Sequence, residues 1–116
     1  MFIRIFGTIL LALFLFAGSA GAASFAYIAN YNDNTVSVLD TSTDTVTATI
    51  GVGTRPQGVA VNPAGTKVYV ANRGSNTVSV IDTATHTVTA TVNVGDTPQG
   101  VAVNPAGTKV YVTNVL

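Results

Sequence analysis

Apolar and polar residues alternate in short runs along the chain after residue 24. Val68 and Val70 share one face of their segment, Val78 and Val80 do the same in the next, and threonines take alternate positions in the segment after that. A period of two with β-branched residues on both faces is typical of β-strands, and no segment after residue 24 has the 3.6-residue period of a helix. The pattern predicts four strands per unit, named A to D, at residues 59–62, 67–72, 77–82 and 87–92.

The connections between these strands contain residues that favour tight turns. Asn62-Pro63-Ala64-Gly65 places Asn, Pro and Gly at the first, second and fourth positions of a type I turn between A and B. Asp40 and Asp82 open the C–D turns, where a short carboxylate can cap backbone N–H groups. Residues 53–58, which begin and end with Gly, are predicted to carry the chain from strand D to strand A of the next unit.

The strand pattern recurs with a fixed period. Tyr-x-x-Asn at residues 27–30 returns at 69–72 and 111–114, a spacing of 42 residues both times, and residues 27–68 share 31 of 42 positions with residues 69–110. This period fits a four-stranded propeller blade. The sequence therefore predicts an all-β fold of β-propeller blades, about two blades and a partial third that begins at residues 111–116.

The first 23 residues differ from the rest of the chain. One basic residue, Arg4, precedes a 13-residue apolar run at residues 5–17, and small residues follow at 19–23. These features predict a helical signal peptide at residues 1–23, with the repeats occupying 24–116. An uncleaved N-terminal anchor is the alternative, although the run is shorter than the roughly 20 residues that span a bilayer. The expected location is secreted, periplasmic or cell-surface, with no integral membrane span after cleavage.

Composition narrows the chemistry that the chain can perform. With 5 basic and 5 acidic residues the net charge is zero, so the chain lacks the basic surface typical of nucleic-acid binding. The sequence contains no Cys, no Glu and one His, so we predict no metal, no cofactor and no catalytic residues. His86 is interpreted as a solvated turn residue. Asp40 and Asp82 are interpreted as turn caps rather than calcium ligands, since a calcium site needs six to eight oxygens.

The motifs resemble those of the YVTN-type β-propeller repeat family of surface-layer-like and periplasmic seven-bladed propellers. The tetrapeptide stands here as Tyr111-Val112-Thr113-Asn114, with Pro-Gln-Gly-Val-Ala-Val-Asn-Pro-x-Gly before such tetrapeptides and Asn-Thr-Val-Ser-Val-Ile-Asp-Thr after one of them. The match covers residues 25–116. The resemblance implies a secreted or cell-surface protein with a binding or scaffolding role.

The chain departs from this family in its length. In strand order it runs B-C-D, A-B-C-D, A-B, whereas propellers close with about four to eight blades. Three explanations stay open: a fragment or truncated reading frame, a complete short protein that closes a ring as a cyclic homo-oligomer, and a two-blade monomer. The last would leave A and D edge strands exposed to pairing with other chains.

Differences between the two repeats indicate where binding takes place. In an up-and-down meander, the B–C and D–A loops lie on one face of the blades and the A–B and C–D turns on the other. Of the eight differences that are not aliphatic exchanges, six fall in the B–C and D–A loops. We predict that these loops bind a partner, while tolerated sequence drift is the alternative explanation. The candidate binding residues are Tyr31, Asn32, Asp33, Arg55, Arg73, Ser75 and Asp96.

The residues and the resemblance together indicate two classes of function. The first is a non-enzymatic binding or scaffold module for a protein, a glycan or a cell-envelope component, and this is the class we predict. The second, implied by the resemblance, is part of a propeller enzyme or electron-transfer subunit of the lactonase-like or haem-bearing kind. Single-strand DNA binding, also known among similar propellers, is a lesser alternative because the net charge is zero.

Overall fold

The computed structural model describes residues 13–16 and 24–116, with side chains described from residue 24 onward. The described residues form strands joined by turns, which confirms the predicted all-β class. The strands are β1 (Leu13–Phe16), β2 (Phe25–Asn30), β3 (Thr35–Asp40), β4 (Thr45–Gly51), β5 (Pro56–Val61), β6 (Lys67–Asn72), β7 (Thr77–Asp82), β8 (Thr87–Asn93), β9 (Pro98–Val103) and β10 (Val110–Asn114).

The strands assemble into three antiparallel sheets in chain order. Strands β1 to β4 form the first sheet, β5 to β8 the second, and β9 pairs with β10 in a third sheet of two strands. The two four-stranded sheets are meanders, and the second contains the predicted A, B, C and D strands in order. Strands β6 and β7 have the predicted bounds because apolar alternation and turn residues agree at both of their ends. The three sheets are two blades and part of a third.

Strand A begins three residues earlier than predicted. Pro56 pairs with Asn72, and a bulge separates this pair from the regular ladder that begins at Gly58. The prediction placed Pro56 in the connection between blades, at residues 53–58. Proline has no N–H for a ladder, but at the first position of a strand that missing donor costs little, so the strand includes it.

The described residues contain one strand more than the nine predicted. This additional strand, β1, occupies the position of strand A in the first blade. Its Leu13 pairs with Ile28 as Val59 of the second blade pairs with Val70, so the two ladders share one register. The apolar run predicted a signal-peptide helix in this segment, whereas residues 13–16 are a strand. The remainder of the predicted signal peptide, with the small residues at 19–23, lies outside the described residues.

The predicted turns form as their residues indicated. Gly65 donates its backbone N–H to the Asn62 carbonyl at 2.8 Å and has a φ of 69°. The Asn62 side-chain oxygen accepts hydrogen bonds from the backbone N–H groups of Thr66 and Lys67, at 2.8 and 2.9 Å. In the C–D turn, the Asp82 carboxylate accepts from the N–H of Ala84 at 2.8 Å. Both turn types are therefore fixed by local side-chain contacts.

The other C–D turn gives a pH-dependent prediction. The Ser42 hydroxyl and the Ser42 backbone N–H donate to the Asp40 carboxylate, at 2.6 and 2.8 Å, and hold its pKa below the usual value. Because the folded-state pKa is lowered, this contribution to stability is present above the ordinary Asp pKa and is lost as pH falls through the folded value. We expect Ser42→Ala to raise the Asp40 pKa in an NMR titration, because only the backbone donors remain.

The matched control for that titration is Thr43→Ala, whose hydroxyl bonds with Thr45 rather than with the carboxylate. This control should leave the Asp40 midpoint where it is in the parent chain. A Ser42→Ala midpoint equal to that of the parent would show that the hydroxyl does not stabilise the ionised form.

The hydrophobic core lies between the first two blades. Tyr27, Val36, Val38 and Ile50 of the first blade pack with Val70 of the second, together with further apolar residues of both sheets. The Tyr27 side chain is fully buried, as expected of a position that packs between blades. Stability is therefore shared between neighbouring blades, as in other repeat folds.

The polar face of the third strand is largely buried in the first two blades. Asn72 is fully buried, and its side-chain nitrogen donates to the hydroxyls of Thr77 at 3.0 Å and Ser79 at 2.9 Å. Asn30 makes the same contacts with Thr35 and Ser37 in the first blade. In the first two copies, the last residue of the Tyr-x-x-Asn motif thus donates to hydroxyls of the following strand that are largely shielded from water.

Candidate functional site

The B–C turns and D–A loops meet on one face of the blades, as predicted. We call this the loop face and define it by residues 31–34, 52–55, 73–76 and 94–97. Arg73 donates its backbone N–H to the Arg55 carbonyl at 3.0 Å, and Gly74 donates to the Thr54 carbonyl at 2.9 Å. These bonds join the loop that enters the second blade to the B–C turn of the same blade.

One asparagine fixes each of the two connections between blades. The Asn34 side-chain oxygen accepts from the Arg55 N–H at 2.9 Å, and the Asn76 oxygen accepts from the Thr97 N–H at 3.0 Å. Asn34 and Asn76 have φ values of 58° and 56°, in the left-handed region that Asn tolerates better than most residues. Arg55 and Thr97 each have a φ of 54°. The loops are therefore held in a defined conformation by bonds from the preceding blade.

Tyr31 and Arg73 occupy the same position in successive repeats and contact each other. The Arg73 Nη1 donates to the Tyr31 hydroxyl at 2.9 Å, across 42 residues of sequence. Both side chains are half-buried. The Arg73 Nε is buried and has no hydrogen-bond partner among the described residues. This guanidinium is thus oriented by one neighbour and keeps further donor capacity.

A cleft of about 140 Å³ opens on the loop face, lined by Arg55, Arg73, Gly74 and Thr97. We call it the arginine cleft. Gly74 allows the close approach of its walls, because a Cβ at this residue would lie 3.1 Å from the Thr54 carbonyl oxygen and 3.3 Å from the Arg55 Cδ. All four lining residues stand at positions where the two repeats differ.

The remaining predicted binding residues lie on the loop face but outside the lining of this cleft. Asn32 and Asp33 are exposed on the B–C turn of the first blade. The Ser75 hydroxyl accepts from the Thr54 N–H at 3.1 Å, and the Asp96 carboxylate accepts from the Asn76 side chain at 3.0 Å. Of the predicted residues, the structure therefore brings Tyr31, Arg55 and Arg73 together, and it uses Ser75 and Asp96 to brace loops.

Sequence reasoning missed four residues of this site. Gly74 and Thr97 line the cleft, and both stand at positions that differ between repeats, so the same signal could have found them. Asn34 and Asn76 are identical in the two repeats, and a comparison based on differences could not detect them. Their signal was the Asn before each Thr-Val-Ser-Val strand, at a turn position that favours left-handed backbone.

The opposite face carries weaker candidates. His86 is half-buried rather than fully solvated, and its ring contacts that of Phe25 edge to face with centroids 5.8 Å apart. Burial raises the pKa of the Tyr27 phenol, and the charge of Asp82 raises it further. Within residues 24–116, no three His or Asp side chains gather as a metal site would require. Across the described part of the chain, no helix is long and apolar enough to cross a membrane.

Comparison with known proteins identifies the family. The sequence profile described as "YNCE-like beta-propeller" matches residues 8–115, nearly the whole chain. The chain belongs to the YNCE-like beta-propeller family. The resemblance based on the Tyr-x-x-Asn repeats is thereby confirmed at the level of a β-propeller repeat family. A search of curated proteins found no match.

Solved structures similar to this YNCE-like chain are those of longer chains. Kuenenia stuttgartiensis hydrazine synthase is 33% identical with a TM-score of 0.77, covering 78% of this chain and 26% of that one. A functionally unknown protein from Desulfotomaculum acetoxidans DSM 771 is 26% identical with a TM-score of 0.71, covering 78% and 31%. Apo AztD from Citrobacter koseri, 19% identical with a TM-score of 0.64, covers 85% and 31% and shows the fold alone. The chain spans about a third or less of each of these structures.

Proposed function

We propose that the chain is a non-catalytic binding module that holds a protein, glycan or cell-envelope ligand on its loop face, outside the cytoplasm. The observation that carries this proposal is the arginine cleft. Its lining residues all come from positions that differ between repeats, although 31 of 42 positions are identical. Sequence drift alone would scatter the differences between repeats over both faces. The four positions that line the cleft instead form one concave site. Functional residues commonly lie on loops that are positioned by a rigid scaffold.

The rigidity of the loops supports a binding role over simple tolerance of change. Arg55 and Thr97 are held in left-handed backbone by asparagines of the preceding blade. Such conformations cost free energy for non-glycine residues, and they persist where surrounding contacts enforce them. A preorganised site loses less conformational entropy when it binds, which favours affinity.

The proposal is tested by a loop-face variant in which Tyr31, Asp33, Arg55, Arg73 and Asp96 are replaced by Ala. We expect binding to isolated cell-envelope preparations and to a glycan array to fall at least about tenfold, since the loss of several charged or hydrogen-bonding contacts costs more than about 1.4 kcal/mol. Circular dichroism would verify that the variant remains folded.

The matched control carries five Ala replacements on the opposite face, at residues 42, 44, 67, 85 and 86. It should bind as the parent chain does. Equal losses in both variants, or none in the loop-face variant, would contradict the proposal.

A second candidate function is part of an enzyme or electron-transfer subunit. The observation that favours it is the 33% identity to Kuenenia stuttgartiensis hydrazine synthase. Catalysis would need acid or base groups within hydrogen-bond reach of a substrate, and the arginine cleft is lined by cations, Thr and Gly. Lactone turnover or stoichiometric haem binding that disappears in the loop-face variant would replace the binding proposal with this one.

A further inference from the structure

The lining of the arginine cleft specifies a charge. Arg55 and Arg73 contribute two guanidinium groups to a space of about 140 Å³, and the lining contains no carboxylate. The two carboxylates of the loop face, Asp33 and Asp96, both lie outside this lining, and Asp96 accepts a hydrogen bond from the Asn76 side-chain amide. Two cations with no acidic group in the lining of their cleft favour an anionic ligand over a neutral or cationic one.

The donors of the cleft specify the ligand's chemistry. A guanidinium presents five N–H donors in a planar fork that matches the oxygens of carboxylate, phosphate and sulfate groups. The Tyr31 hydroxyl occupies one Arg73 donor, and the buried Arg73 Nε has no partner among residues 24–116. Because the Nε is closed to solvent, the terminal N–H groups of Arg73 and Arg55 are the donors that a ligand in the cleft can reach.

The volume specifies how much of the ligand enters. Pockets that enclose whole small molecules usually measure about 300–1,000 Å³. At about 140 Å³ the arginine cleft is smaller than this range. It is suited to one oxyanion group, either as a free ion or as the acidic group of a larger ligand that extends over the loop face.

We propose that the arginine cleft binds an oxyanion group, with Arg55 and Arg73 as its cationic contacts and the Thr97 hydroxyl as a further donor. Tyr31 is a positioning residue that orients Arg73 through their hydrogen bond. This inference rests on the proposed binding function and names the ligand chemistry of the same face.

The test titrates the full chain with inorganic phosphate, sulfate and acetate, followed by isothermal calorimetry and by NMR of the arginine Nε–H signals. An acidic oligosaccharide, oligogalacturonate, is a separate arm with a neutral oligosaccharide beside it. We expect saturable binding of at least one free oxyanion, with a shift of the Arg73 Nε–H signal. Tighter binding of the oligogalacturonate would place the group on a glycan, and equal or weaker binding would place it on a free ion.

The variant Arg55→Gln/Arg73→Gln removes two positive charges from the cleft and should weaken oxyanion binding at least about tenfold. Lys67→Gln/Lys109→Gln removes two charges from the opposite face, where both side chains are exposed, and should stay within about twofold of the parent. Arg73→Lys keeps the positive charge but loses the planar fork of donors. Its oxyanion affinity should therefore lie between those of the arginine and lysine double variants. Tyr31→Phe should weaken binding a few fold and move the Arg73 Nε–H signal in the free chain.

Each failure is distinguishable from a failure of the proposed function. Equal losses in the arginine and lysine pairs would show unspecific charge attraction and overturn the oxyanion site. Absence of oxyanion binding would also overturn it, although the loop-face variant could still lose envelope or glycan binding. Binding of a single-stranded oligonucleotide without binding of any free oxyanion or oligogalacturonate would replace the inference with a nucleic-acid site.

Discussion

Replacing Gly58 by Ala is expected to lower the free energy of unfolding by about 3 kcal/mol. A Cβ at this residue would overlap the backbone carbonyl oxygen of Gln99 and lie 3.2 Å from the Val101 backbone nitrogen. Both atoms belong to β9, so the clash is with the backbone of the next blade and no rotamer change relieves it. The remaining outcome is separation of β5 from β9, which removes packing that stabilises both blades.

Urea denaturation followed by circular dichroism measures this loss, and amide exchange of β9 and β10 reports separation of the blades. The matched control is Gly51→Ala in strand β4, where no atom lies within 4 Å of the added Cβ. That substitution should change stability by no more than about 0.5–1 kcal/mol, in the stabilising direction if the chain entropy of the unfolded state dominates. Equal stabilities of the two variants would show that β5 and β9 are not in close contact in solution.

Replacing Asn72 by Ala is expected to cost about 2–3 kcal/mol of stability. The side chain is fully buried and donates to the Thr77 and Ser79 hydroxyls, which are also buried. Truncation leaves the Ser79 hydroxyl without this donor, leaves Thr77 with the Ser75 hydroxyl as its side-chain partner, and opens a cavity beneath the loop face. Because Arg73 follows directly in sequence, the Arg73–Tyr31 contact should also weaken, and the NMR signal of the Arg73 Nε–H would report it.

Asn114 provides the control, since it holds the same place in the last Tyr-x-x-Asn tetrapeptide and is exposed. Ala at this position should change the free energy of unfolding by no more than about 0.5 kcal/mol. A comparable loss at both asparagines would mean that the motif acts through local backbone preference rather than through buried hydrogen bonds between strands.

Local sequence patterns predicted most of each blade. The bounds of β6 and β7, the Asn62–Gly65 turn and the Asp82 cap depend on residues close in sequence, and all were predicted correctly. The first residue of β5 was not predicted correctly. Whether Pro56 can begin a strand depends on its pairing with Asn72 in the neighbouring strand. The alternation of apolar and polar residues along the chain does not show which distant segments pair with each other.

The candidate site was predicted as a set of residues but not as a geometry. Differences between repeats pointed to Tyr31, Arg55 and Arg73, yet the contact between Tyr31 and Arg73 exists only because blades place equivalent positions side by side. The roles of Asn34 and Asn76 were hidden, because their side chains hold the following blade and do so identically in both repeats.

The sequence by itself determined the strands, the turns, the 42-residue period and the face on which the variable loops lie, since each follows from local side-chain chemistry and alternation. Only the tertiary structure decided which copy of a repeated residue is buried. Tyr27 is fully buried, Tyr69 is half-buried and Tyr111 is 59% exposed, although all three occupy one position of the repeat. The reason is that a blade buries its side chains against its neighbours, and packing of this kind is not encoded within a single repeat.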